Sequence, residues 1–253
     1  MIYIAFLFFT FLIILSAFYQ WQYFLVFSPT YFREGVLSNS CEILSITTND
    51  GIELEGVVYE PLEAKNTIVF FGGKQHDSVG LIDRLAEEFK NSRIITFNYR
   101  SYGRSCGKVN ERNILKDGLK IAEIIQKNYG DFYIMGFSLG ASVSTSVASK
   151  HKTLGVFLIG AFDSINLMAK AKYGVSSSWM LRYEFDNTEF VKNIEAPTYM
   201  FSSKSDEVVN IDNARNLKNS VKNLAFYKEF DDLSHKELLW NEEVINKING
   251  VLL

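Results

Sequence analysis

Gly136-Phe137-Ser138-Leu139-Gly140 is the stretch whose reading decides the fold. It follows the apolar run Phe132-Tyr133-Ile134-Met135 and precedes a helical pattern of small residues, Ala141-Ser142-Val143-Ser144-Thr145-Ser146-Val147-Ala148. Strand, G-x-S-x-G turn and helix, in that order, make a nucleophile elbow, whose tight turn presents the serine hydroxyl above the sheet. Glycines on either side let the neighbouring backbone pass where a Cβ would clash. A serine attacks a carbonyl efficiently only with a base, an orienting acid and an oxyanion hole. The rest of the chain must carry those parts.

On both sides of the elbow the chain is built from short elements. Residues 42–48 and 52–59 alternate around Asn49-Asp50-Gly51, a hairpin turn signal, and Pro61 closes the second strand. Residues 67–71 are almost continuously apolar, as expected of a strand buried on both faces, and end in Gly72-Gly73. A helical pattern with Leu81, Ile82, Leu85, Ala86 and Phe89 on one face follows, then a strand at 93–98 and a helix at 110–128. After the elbow come strand 154–160, strand 198–202 behind Pro197, a helix near 211–221, strand 224–230 and a final helix from Lys236. A starting hairpin followed by repeated strand–helix units predicts an α/β fold, a mostly parallel sheet with helices on both faces. Chemistry in such sheets collects at the carboxyl ends of the strands. That rule selects the loops beginning at Gly72, Tyr99, Ser138 and Ser203. Residues 161–193 interrupt the alternation with two amphipathic pieces, 165–173 and 179–190, and predict a small helical cap.

The base must follow a late strand, and His235 does so in Phe230-Asp231-Asp232-Leu233-Ser234-His235. There its imidazole can take the serine proton and return it to the leaving group. His76 precedes the serine and His151 lies at the end of the elbow helix, so both fit that role poorly. Asp206, leaving the strand at 198–202 through Ser203-Lys204-Ser205, is the candidate acid; Glu207, Asp231 and Asp232 are its rivals. An aspartate at that position also suits a helix cap near Asn210. An oxyanion hole needs two backbone N–H groups. Leu139 supplies the first, and Lys74 in Gly72-Gly73-Lys74 the second, with Gly73 as the alternative.

At 253 residues the chain fits one large domain, and a net charge of −3 offers no basic field for nucleic acid. Two cysteines, Cys41 and Cys106, are too few for a disulfide framework, and no His/Cys spacing suggests a metal. Residues 2–27 carry no charge and end in Tyr19, Trp21 and Tyr23, an aromatic belt after a run long enough to span a bilayer. With no Lys or Arg ahead of the run and no small-x-small site after it, the run reads as a retained single-pass anchor rather than a cleaved leader. Arg33, the only nearby basic residue, favours a cytosolic side and leaves orientation weakly specified.

From Cys41 to the end, the chain resembles the α/β-hydrolase superfamily, and within it the membrane-anchored serine hydrolases of the ABHD type and their bacterial relatives. Phe70-Phe71-Gly72-Gly73-Lys74 is similar to the family's oxyanion loop, with Lys74 where asparagine is common. Asn98-Tyr99-Arg100-Ser101-Tyr102-Gly103-Arg104-Ser105 resembles its Tyr-Arg-Gly-Tyr-Gly-x-Ser segment, with Ser101 where glycine is common. Phe162-Asp163-Ser164-Ile165 and Arg182-Tyr183-Glu184-Phe185-Asp186 resemble its cap. The resemblance implies an anchor over 1–28, a hydrolase domain over 29–253, and cleavage of esters, thioesters or amides without metal or organic cofactor. The anchor suggests a lipophilic acyl substrate, with Leu167, Met168, Tyr173, Trp179, Met180 and Leu181 of the cap as candidate groove residues. A peptidase or amidase of the same fold is the second reading. A catalytically silent, membrane-bound interaction module is the third, against which the complete Ser138, Asp206 and His235 set argues.

Overall fold

The structure, a computed structural model, describes residues 2–31, 40–174 and 180–252. Arg33 and Trp179 lie outside those residues. Strand β5 (Tyr133–Phe137) sits inside an eight-stranded sheet ordered β1-β2-β4-β3-β5-β6-β7-β8. The others are β1 (Cys41–Thr47), β2 (Glu53–Tyr59), β3 (Asn66–Phe71), β4 (Ser92–Phe97), β6 (Val156–Ile159), β7 (Thr198–Ser203) and β8 (Leu224–Phe230). Pairs β1–β2 and β2–β4 are antiparallel and the rest parallel: β1 and β2 are joined by a short hairpin, β2 runs against the remaining strands, and helical crossovers keep the others parallel. The chain leaves β3 for β4 on one side and then returns past β3 to β5 on the other. The carboxyl ends of β3 and β5 therefore flank a topological switch point, where an open α/β sheet forms its crevice.

Helices cover both faces: α2 (Ile82–Glu88) and α9 (Glu242–Leu252) on one, α3 (Glu111–Tyr129) and α4 (Leu139–Ala148) on the other. Helix α4 is buried along its whole length, which explains its small residues. A Cβ on Gly118 of α3 would stand 2.5 Å from Val143 Cγ1, so α3 packs almost backbone to side chain against it. Helix α7 (Ile211–Ser220) flanks β7 and β8.

Two expectations need correction. The final helix is two: α8 (His235–Leu239), opened by a Ser234–Glu237 capping box, and α9, restarted by the Asn241 side chain accepting from the Glu243 and Val244 N–H groups. The cap contains α5 (Ile165–Tyr173) as expected, but residues 181–186 are not helical, and the α-helix of the second piece among the described residues is α6 (Asn187–Val191), capped by Asp186. The apolar spacing ahead of it has a different origin. Tyr183 and Phe185 turn inward and pack edge-to-face with Phe27 at ring-centroid distances of 4.9 and 6.2 Å.

Helix α1 (Ile2–Val26) has mean hydropathy 2.0 over Tyr3–Val26 and projects most of its side chains outward, so it is long and apolar enough to cross a membrane. Its last turn belongs to the globular core. Phe27 is fully buried, and Gln22 donates to Met180 O at 2.8 Å while accepting from Arg182 N at 2.7 Å.

Candidate active site

Ser138 closes β5 with φ 54° and ψ −118°, a conformation that costs a non-glycine residue about 1–3 kcal/mol. Close packing holds it there. A Cβ on Gly136 would lie 2.5 Å from Gly140 O, and one on Gly140 only 1.9 Å from Phe71 O. Both neighbours are backbone and cannot yield, so the two glycines of the motif are obligatory. The Ser138 N–H donates to Ile159 O at 2.9 Å, which locks the turn to β6.

His235 is the first residue of α8, and its Nδ1 meets Asp206 Oδ2 at 2.7 Å with both side chains buried. A carboxylate only accepts, so Nδ1 carries the proton and Nε2 presents a lone pair. The other oxygen of Asp206 accepts from the Val208 and Val209 N–H groups at 2.8 Å each, fixing the carboxylate. Helix α7 is capped by Asn210 instead, so Asp206 is not its cap. Of the rival carboxylates, Glu207 accepts the backbone N–H of His235, which lowers its pKa, and Asp231 pairs with Lys204 at the surface. The imidazole packs on Phe137, with centroids 4.9 Å apart, and beside Gly160, where a Cβ would stand 2.9 Å from His235 Cε1. Nε2 is buried without a hydrogen-bond partner among the described residues, and the bond to Ser138 Oγ is not made. Such bonds are often long before substrate binds.

Across the crevice, the loop after β3 is held by its carbonyls. Tyr99 OH donates to Gly72 O at 2.7 Å, His76 N–H to Gly73 O at 3.1 Å, and Tyr102 OH to Lys74 O at 2.8 Å. The N–H of Gly73, the alternative oxyanion donor, donates to His76 Nδ1 at 3.2 Å. No acceptor among the described residues engages the Lys74 N–H. Gly73 lies against the elbow, where a Cβ would stand 3.5 Å from Ser138 Cβ. Leu139, at the start of α4, brings one of the N–H groups a helix leaves unsatisfied at its N-terminus. His76 stacks on Phe137 at 5.2 Å, and its pKa is lowered to about 4 by burial and by His235 and Lys236. It is neutral, as an acceptor for the Gly73 N–H must be.

Four residues to which the sequence assigns no part in the site thus support it: His76, Tyr99, Tyr102 and Gly160. Gly160 ends an apolar strand, and Tyr99 and Tyr102 stand in the Asn98–Ser105 segment, but neither signal says what these side chains hold. His151 lies elsewhere, beside a cleft lined by Asp50, Arg100 and Asp117. Arg100 binds Asp117 and Asp50 there and ties the β1–β2 turn to α3. Ser101 occupies φ 68°, the left-handed region that explains why glycine suits that position. In the cap, Met168 packs on the core, Leu167 and Tyr173 are exposed, and Leu181 lines a hollow with Arg182 and Tyr183 that no triad candidate reaches.

This arrangement, with a serine elbow at the switch point of a mostly parallel sheet, defines the α/β-hydrolase fold. Solved structures agree. An esterase from Pyrococcus furiosus superposes with TM-score 0.70 at 16% identity, covering 89% of this chain and 98% of its own. The α/β hydrolase GrgF from a Penicillium species gives TM-score 0.68 at 12% identity, covering 84% and 97%. No protein-family model matches the chain. Among curated proteins, the lysophosphatidylserine lipase ABHD12 of Mus musculus is 27% identical over 158 residues, 54% of this chain and 40% of its own. The uncharacterized protein R595 of Acanthamoeba polyphaga mimivirus is 24% identical over 190 residues, 66% of this chain and 65% of its own. The chain thus spans less than two thirds of the length of these curated relatives. The chain has the α/β-hydrolase fold, and the curated proteins it is similar to include members of the ABHD type.

Proposed function

We propose that this protein is a membrane-tethered serine hydrolase that cleaves the ester or thioester of a lipophilic acyl compound, with residues 1–28 as a single-pass anchor and 29–253 as the hydrolase domain. The observation that carries the reading is the buried Asp206–His235 pair beside a serine held at positive φ. Ser138 Oγ attacks the acyl carbonyl as His235 Nε2 takes its proton, and Asp206 stabilises the imidazolium through Nδ1. The Leu139 and Lys74 N–H groups receive the developing oxyanion. His235 then protonates the departing alcohol or thiol, leaving an acyl-serine that water hydrolyses by the same relay. Each proton passes by way of His235 Nε2, from Ser138 to the leaving group and then from water back to Ser138, while Asp206 stays ionised throughout.

The lipophilic substrate is supported by the exposed apolar helix beside the cap and by the lipase and esterase names of relatives and structural neighbours. Each methylene buried in an acyl groove is worth about 0.8 kcal/mol. A p-nitrophenyl ester series on the full-length protein in detergent is therefore expected to show kcat/KM rising with chain length and then levelling. A profile best at acetate would contradict a lipid substrate and favour a small-ester or peptidase reading.

A further inference from the structure

We propose that Lys74 is a positioning residue that couples the membrane helix to the oxyanion loop, so that the anchor aligns the active site as well as tethering it. This rests on the serine-hydrolase reading above. A helix leaves its last carbonyls without partners and carries partial negative charge there, and a cation offsets both. Helix α1 has no basic residue in its last turn. Lys74 supplies the cation from another element, its Nζ donating to Leu25 O at 2.8 Å. The same residue is tied a second time, since Lys74 O accepts from the Ser28 N–H at 3.2 Å and from Tyr102 OH, which also accepts from Ser28 N–H at 3.0 Å. The side chain and the carbonyl of Lys74 thus both hold residues 25–28, and its own N–H, the candidate oxyanion donor, is carried by the Cα that joins them.

A surface lysine contact is ordinarily worth little. Here the ammonium is partly desolvated and faces Lys172 of the cap, which together lower its pKa, and it still keeps this one acceptor. The same helical turn is held a further time, by Gln22 to Met180 and Arg182 of the cap. The depth is consistent: as a helix, residues 3–21 rise about 28 Å, close to the roughly 30 Å of bilayer hydrocarbon. Contacts with the cap begin near the end of that stretch, where Arg182 lies 5.0 Å from the Tyr19 ring centroid and donates to Gln20 Oε1 at 3.2 Å, and Gln22 adds its two backbone ties. Loop and cap therefore meet the anchor at headgroup level.

The test uses full-length protein in lipid nanodiscs, comparing Lys74→Met with Lys74→Arg. The readouts are kcat and KM for p-nitrophenyl acetate, the second-order rate of fluorophosphonate labelling, and Tm. Small displacements of a catalytic group cost up to about 100-fold. Lys74→Met is expected to lower kcat and labelling about 10- to 100-fold with KM within about two-fold and Tm nearly unchanged, and Lys74→Arg to restore most of the rate. Tyr102→Phe, which cuts the second tie, is expected to lower kcat in the same direction and serves if Lys74→Met does not fold. Wild-type rates in Lys74→Met, or in Tyr102→Phe where that variant stands in, overturn the proposal. So does a loss that Arg fails to rescue. Absence of labelling in the wild type removes the serine-hydrolase reading itself and the proposal with it.

Discussion

The two walls of the crevice are held by different means. The wall with Ser138 is fixed by local backbone packing: Gly140 against Phe71 O, Gly136 against Gly140 O, and Ser138 N–H on Ile159 O. The wall with Lys74 is fixed by side chains from distant segments: Tyr99 and Tyr102 from the loop after β4, His76 from its own loop, and the end of α1. A wall made of backbone contacts is dictated by a short motif. One made of long-range side-chain ties is tunable from far away, including from the end of α1.

The comparison breaks first on the Ser138 wall. Asp206→Asn removes the acceptor that fixes the His235 tautomer, and kcat is expected to fall about 10⁴-fold with the fold retained. Turnover near wild type in Asp206→Asn, or an equal loss in Asp231→Asn, would move the acid elsewhere. On the Lys74 wall, Phe27→Ala in the full-length protein should cost about 3–5 kcal/mol in chemical denaturation, the range for a buried phenylalanine. Trp21→Ala, at a side chain 52% exposed, should change stability by less than about 0.5 kcal/mol. Equal effects from the two would mean that the end of α1 is a tether only. For the same reason a truncation at Pro29 is a poor soluble form, since it deletes Phe27 from the core.

A smaller effect sharpens the contrast through pH. The folded-state pKa of His76 is about 4, against 6.5 for the unperturbed side chain. Between those values the unfolded chain binds a proton that the folded one refuses. This contribution to stability is complete above the unfolded pKa and is lost as pH falls toward 4, reaching on the order of 3 kcal/mol. His76→Gln should flatten the stability–pH curve in that window relative to wild type. An unchanged curve would show that His76 is not held neutral against the oxyanion loop.

Sequence legibility follows the same division. The elbow, the mostly parallel sheet implied by hairpin and strand–helix units, and the candidate positions Ser138, Asp206 and His235 could be read because each depends on residues within a few positions or on chain order. The support of the Lys74 loop could not. Tyr99 and Tyr102 stand in a recognisable segment, but only the fold brings their hydroxyls to Gly72 O and Lys74 O. The apolar spacing at 179–190 misled for a related reason: Tyr183 and Phe185 are buried by Phe27, a partner more than 150 residues away in sequence, and not by a helix face of their own. The split of the last helix was a local signal, an Asn241 cap, outweighed by the continuous apolar pattern around it.

The central claim is that Ser138 attacks. Intact full-length protein treated with a fluorophosphonate, digested and sequenced by mass spectrometry tests it most directly. The account requires one adduct, on the peptide containing Ser138, abolished by heat denaturation before labelling and by Ser138→Ala. An adduct on another residue, or undiminished labelling of Ser138→Ala, would contradict it.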